Sequence, residues 1–307
     1  MKPIWFYSLL VFLGGCCFGL LSTFVKLAYT NGFTLAQVTG LQFLFGLLLI
    51  WVFVPFVKKD QLTNSLKTKV FLSGLPMGLT GVFYYQSLQT IDASIAIILL
   101  FQFVWIGSLL EWFIDRKKPN QLRIMAIGTC MIGSILAGGF FMSSLELTWY
   151  GTIWGLLAAM SFSAFIYLSG KVAQTVPAIQ KSAWLTAGGF VVVFIIFLPT
   201  YIREGFPLET MIAVAPYGLF LGLFGVLLPP LLFSIGMPKV GGGLGTILSS
   251  SELPVAILMS TIILKETVSV VQWIGVVIIL VGIALGNGVL SQLVGLRKTR
   301  ISVIKNS

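Results

Sequence analysis

Ten stretches of mostly apolar residues run along this chain, separated by short polar or Gly- and Pro-containing connections. Their limits are 4–28, 34–57, 70–90, 93–114, 122–142, 149–171, 180–201, 213–235, 243–264 and 270–290. A helix needs about 20 such residues to cross a hydrocarbon core about 30 Å thick. The runs are continuous, unlike the shorter alternating segments of a transmembrane barrel. The pattern predicts an all-α integral membrane protein with ten transmembrane helices. The first run contains Leu13-Gly14-Gly15-Cys16, which has the look of a lipoprotein cleavage site. The apolar run continues through Cys17, Phe18, Gly19, Leu20 and Leu21, where a lipoprotein would show a polar tether.

Composition agrees with this reading. The 307 residues are 57% hydrophobic with a mean hydropathy of +1.02, and 9% are charged. Soluble domains carry about 25% charged residues, and disordered chains are polar, so both classes are excluded. The chain has no histidine, which removes His-based metal sites and His general bases. Cys16, Cys17 and Cys130 lie inside apolar runs at no zinc or disulfide spacing. No phosphate-cradling loop precedes a Lys-Ser or Lys-Thr, and no nucleophile–base constellation is present. The chain is therefore expected to be no enzyme, to need no cofactor or metal, and to drive no transport with ATP.

The net charge of +10 is expected to face lipid headgroups and cytoplasm and not nucleic acid, because the basic residues cluster between apolar runs. With ten spans, the N-terminus, the even-numbered connections and the C-tail share one side. Sixteen of the 19 basic residues fall there: Lys2, Lys58, Lys59, Lys67, Lys69, Arg116, Lys117, Lys118, Arg123, Lys171, Lys181, Lys239, Arg297, Lys298, Arg300 and Lys305. Only Lys26, Arg203 and Lys265 fall on the other, so the positive-inside rule places both termini in the cytoplasm. Trp5, Trp51, Trp149 and Trp273 near span ends read as interfacial anchors.

The chain also repeats itself. Residues 74–82 read GLPMGLTGV and residues 218–226 read GLFLGLFGV, with six of nine positions identical. Lys26-Leu27-Ala28 ends span one as Lys171-Val172-Ala173 ends span six, and Pro55 corresponds to Pro199. Asp115 and Glu266 end spans four and nine, and Gly133 corresponds to Gly282. The expected organisation is a first five-span repeat at 1–145, a second at 146–290, and a cytoplasmic basic tail at 291–307. Five is an odd number of crossings, so the second unit enters the membrane inverted. Inverted repeats suit secondary transporters, whose two halves rock about a site at the midplane.

Several residues inside the spans bear on that site. Gly74, Gly78 and Gly81 form one stripe on span three, and Gly218, Gly222 and Gly225 repeat it on span eight. Such stripes allow close helix packing and also smooth surfaces for hinging. Glu252 sits deep in span nine, within Ser249-Ser250-Ser251-Glu252-Leu253-Pro254. An acid there costs at least ~2.5 kcal/mol on insertion scales and should face a cavity or a partner. It can serve substrate or proton binding, or can pin a helix weakened by Pro254, with Ser251 adding a hydroxyl. Gln102, Trp105 and Trp112 share a face of span four. Tyr84, Thr80 and Gln86 on span three and Gln42 on span two add polar groups that need partners in hydrocarbon. Lys26 and Lys171 occupy equivalent places, where they can snorkel, form a gating ion pair, or meet a substrate carboxylate. Glu111, near Asp115, reads as part of an interfacial charge cluster.

These features resemble the drug/metabolite transporter superfamily. The resemblance lies in the two five-span units, the Lys-Leu-Ala and Lys-Val-Ala ends, and the Glu252-Leu253-Pro254 break. The run from Glu266 through Gln272-Trp273-Ile274-Gly275 to Gly282 is similar to its ten-span EamA-type branch, over roughly residues 5–290. The resemblance implies a secondary carrier, often an exporter of amino acids, metabolites or toxic compounds. It also implies a cavity between the halves and places spans five and ten toward the periphery. Three positions depart from the family pattern. Ile114 and Lys265 stand where Gly often precedes the acid ending spans four and nine. Gln102-Phe103 replaces a proline of span four, so only span nine is expected to be broken. Span one lacks the carboxylate of the small four-span relatives, so their proton-coupling scheme does not transfer directly. The leading expectation is alternating-access export of a small organic solute, with the lipid bilayer as environment and protons as a candidate coupling ion. An uptake carrier of the same fold and a non-transporting scaffold or sensor are the alternatives.

Overall fold

The computed structural model describes residues 3–57, 60–91, 93–116, 118–137, 148–205, 207–265 and 267–286, and their regular structure is entirely helical. Span one is Ile4–Gly19 followed by Leu21–Thr30, span two is Leu35–Phe53 and span three is Asn64–Ser87. Span four is Ala93–Leu100 followed by Phe103–Asp115, and span five is Gln121–Ala137. Spans six and seven are Trp149–Lys171 and Ala178–Glu204. Span eight comprises Leu208–Leu221, a wider π segment Gly222–Leu227, and Leu228–Val240. Span nine is Gly242–Ser249 followed by Glu252–Ile263, and span ten is Val270–Gly286. Seven of these are long and apolar enough on their own to cross a bilayer. Spans five and ten are shorter apolar helices ending at the edge of the described residues, and span three opens with the polar turn Asn64–Lys69.

Span starts follow from local side-chain chemistry. The first N–H groups of a helix lack intrahelical partners, and a polar cap supplies them. Thr34 and Gln37 form a capping box at span two. Thr63 accepts from the Leu66 amide and starts span three at Asn64, six residues before the apolar run at 70. Thr148 caps span six through the Gly151 amide. Gly241, at φ +85°, separates spans eight and nine in a conformation that L side chains rarely adopt.

The two halves pack with the same partners when exchanged. Span one packs on span eight as span six packs on span three, and span two meets span eight as span seven meets span three. Spans two and seven pack on each other, as do spans five and ten. This exchange symmetry, with an odd number of crossings per half, is that of two inverted five-helix repeats. Exposed Ile195, Val277, Ile202 and Ile132 are among the large apolar side chains on the exterior, where lipid replaces water as solvent.

The glycine stripes hold these crossings together. A Cβ on Gly74 would overlap the Leu185 carbonyl of span seven, and one on Gly78 would overlap the Gly189 carbonyl. In the second half, Cβ atoms on Gly218 and Gly222 would stand 2.8 Å from Leu41 Cβ and from the Gln42 carbonyl of span two. Both stripes thus set the helix approach at equivalent crossings.

Three findings differ from the sequence reading. Span four is broken as span nine is, at Phe101-Gln102, although no proline stands there. Gln102 takes over a freed backbone group by donating from Nε2 to the Ile98 carbonyl at 2.9 Å. Span eight widens where Pro229 and Pro230 leave the Gly225 and Val226 carbonyls without helical donors, and Thr186 Oγ1 donates to the latter at 3.2 Å. Lys181, assigned to the basic cytoplasmic face, is instead 1% exposed, and its Nζ donates to the Ser169 carbonyl at 2.6 Å. Glu266, Lys2, Lys58, Lys59, Lys117, most of the repeat seam and the 291–307 tail lie outside the described residues.

Candidate functional site

The broken spans meet other helices at their breaks. Ser251 Oγ donates to the Phe12 carbonyl of span one at 2.7 Å. Ser163 Oγ of span six donates to the Phe103 carbonyl at the break in span four, at 3.0 Å. Each break is therefore tied to the first helix of the opposite repeat. Immediately after the span-nine break comes Glu252, the first residue of its second segment, with Pro254 in that first turn, where no helical donor is required.

Glu252 lines a small cavity between the repeats, of about 50 Å³. Spans one, two, three, four, six, eight and nine all contribute walls. The polar wall is Glu252, Tyr84, Gln42, Tyr85 and Thr80, and Phe18, Phe43, Phe162 and Phe165 supply aromatic surface. Tyr85 Oη donates to Gln42 Oε1 at 2.9 Å, which fixes the amide. Thr80 turns its hydroxyl to the Pro76 carbonyl at 2.7 Å. Among the described residues Glu252 Oε2 and Tyr84 Oη find no hydrogen-bond partner, although both residues are buried. A buried polar atom left without a partner costs free energy, so these two atoms mark where a bound molecule gains most. Edge-to-face contacts Phe18–Phe162 and Phe103–Phe162, with centroids 5.2 and 4.8 Å apart, close one side.

Of the other sequence candidates, Gly81 and Gly225 line the cavity while their stripe neighbours pack helices. Ser251 is spent on the Phe12 carbonyl. Gln102 accepts from Trp105 Nε1 at 2.8 Å, and Trp105 is 39% exposed, so neither lines the cavity. The described residues of spans five and ten contribute nothing to the lining. Lys26, half-buried on span one, is likewise outside the lining. The aromatic wall was not singled out from the sequence, because Phe18, Phe162 and Phe165 look the same as lipid-facing phenylalanines in an apolar run. The usable signal was Phe162 and Phe165, three apart and so on one face of span six.

A second cluster lies at one end of the bundle. Glu111 Oε2 accepts from Arg123 Nη1 at 2.6 Å and from the Gly243 amide at 3.0 Å, joining spans four, five and nine. Asp115 accepts from Tyr167 Oη at 2.8 Å and pairs with Lys171 Nζ at 2.5 Å, adding span six. Lys118 and Lys239 stand around the same polar cleft. The sequence treated Glu111 as an interfacial charge, but its side chain is only 8% exposed and links three helices. From Gly243 to Glu252 span nine advances nine residues, about 13 Å at 1.5 Å each. The cleft and the cavity are therefore separate sites. Span six also packs on span eight, with Gly170 close to Met237, whereas their counterparts, spans one and three, make no comparable contact.

A cavity between two inverted repeats, walled by broken helices, defines a membrane transporter. A family model described as the EamA-like transporter family matches residues 5–139 and again residues 149–287. The chain belongs to this family, and it is a transporter and not an enzyme. Among curated proteins, it is 29% identical over 261 residues to the uncharacterized inner membrane transporter YicL of Salmonella typhimurium (strain LT2), covering 80% of this chain and 83% of the relative. A solved crystal structure aligns at a TM-score of 0.69 over 90% of this chain and 98% of that one, a likeness of fold at 17% identity.

Proposed function

We propose that the chain is a secondary transporter of the inner membrane that exports a small organic solute by alternating access through the cavity at Glu252. The observation that carries this reading is the unpartnered Glu252 carboxylate oxygen in a cavity shared by both repeats. In this reading the Glu111–Arg123 and Asp115–Lys171 pairs latch the cytoplasmic mouth. The two five-span units are the rocking bodies, and the glycine crossings are their pivots. Fifteen basic residues on one side, with the buried Lys181 left out, support a cytoplasmic location for both termini. Export is favoured over uptake by what the resemblance implies of the family. Protons remain the candidate coupling ion, with Glu252 as the group to carry them.

The test loads proteoliposomes with a bacterial metabolite extract and follows internal contents by mass spectrometry. At least one solute is expected to leave faster than from protein-free liposomes. Identical loss of every solute from both preparations would contradict transport.

A further inference from the structure

We infer that the cavity takes an organic cation, an amine or quaternary ammonium on an apolar or aromatic body, and rejects solutes with a free carboxylate or phosphate. This deepens the transport reading and rests on it. Among the described residues the wall contains one acidic group, Glu252, and no Lys or Arg lines it. Nor can a histidine supply positive charge, because the chain has none. A carboxylate or phosphate brought here would leave water without a cationic partner, which is among the most costly burials available. An ammonium meets the opposite situation.

Glu252 Oε2 has no partner among the described residues, so its acceptor capacity is open. Tyr84 Oη is also unpartnered and supplies a further lone pair. The remaining surface is aromatic, from Phe18, Phe43, Phe162 and Phe165. Aromatic faces are electron-rich and attract ammonium groups, more strongly where water is excluded, and the same rings take up an apolar body. Two lysines of the bundle are engaged outside the lining. Lys181 donates to the Ser169 carbonyl, and Lys171 is held by Asp115 in the separate polar cleft. The charge balance of the cavity is thus one acid awaiting one cation. Zwitterionic amino acids satisfy only half of it.

The experiment divides a metabolite extract on ion exchangers at neutral pH into cationic, zwitterionic-plus-neutral and anionic pools. Each pool is loaded separately into proteoliposomes of the full wild-type chain. Efflux at least about tenfold above protein-free liposomes is expected for one or more members of the cationic pool and for none of the others. Efflux from the zwitterionic or anionic pool at comparable rates overturns the inference and leaves the transport reading standing. No efflux from any pool overturns both. For a cation that moves, Glu252→Gln, checked for a monodisperse elution profile, is expected to cut efflux at least about tenfold. An unchanged rate in that variant removes Glu252 from the recognition.

Discussion

Gly74→Val is expected to eliminate folded transporter, leaving aggregated or degraded chain where the wild type elutes as a single species. The added Cβ would overlap the Leu185 backbone carbonyl, and no rotamer can relieve a collision with backbone at that depth. Overpacking a core costs about 1–3 kcal/mol where side chains can yield, and here two helices must move apart instead. Separation would also open the Gly78–Gly189 contact one turn along the same crossing. Gly128→Ala provides the contrast, because a Cβ there meets nothing within 4 Å. It should leave stability unchanged or raise it by about 0.5–1 kcal/mol from the loss of glycine's backbone freedom. Size-exclusion yield and thermal unfolding in detergent check both variants. Equal yields for the two would show that the stripe does not set the helix approach.

Glu111→Gln is expected to release the cytoplasmic mouth. The variant loses a charge-assisted bond to Arg123 and weakens the bond from the Gly243 amide. Bonds to charged groups contribute about 1.5–3 kcal/mol each. Losing about 3 kcal/mol would favour opening by roughly 100-fold. Asp115→Asn should act in the same direction but less, since Lys171 is 36% exposed and its pair is screened by solvent. The readout is a Thr80→Cys probe in the cavity wall, with Cys16, Cys17 and Cys130 replaced, labelled by an impermeant maleimide in inside-out vesicles. Labelling should accelerate at least about tenfold in Glu111→Gln. The same rate as in the parent would remove the pair from gating.

The crossings were legible because twenty-residue apolar runs have one common solution in a bilayer, and the repeat because GLPMGLTGV and GLFLGLFGV survive as near-copies. Glu252 was legible for an energetic reason, since an acid in hydrocarbon needs an explanation wherever it lies. The break at Phe101-Gln102 was not. It carries no proline, and its stability comes from a side-chain amide bonded to Ile98 and a serine on span six. Lys181 misled for a related reason. Its position in sequence is that of a headgroup-facing base, and only the packed structure brings the Ser169 carbonyl to its ammonium. The aromatic wall depends on which face of each helix turns inward, and apolar runs hydrophobic all round do not encode that. Trp105 shows the converse, a conspicuous aromatic that the fold turns outward.

Transport through the cavity requires that solute engage Glu252. Its most direct test is solute efflux from proteoliposomes bearing wild type, Glu252→Gln or Glu252→Asp at matched protein content. Efflux indistinguishable from protein-free liposomes is expected for the Gln variant, and partial efflux for the Asp variant, which keeps the carboxylate but shortens its reach. Wild-type efflux from the Gln variant would contradict that requirement.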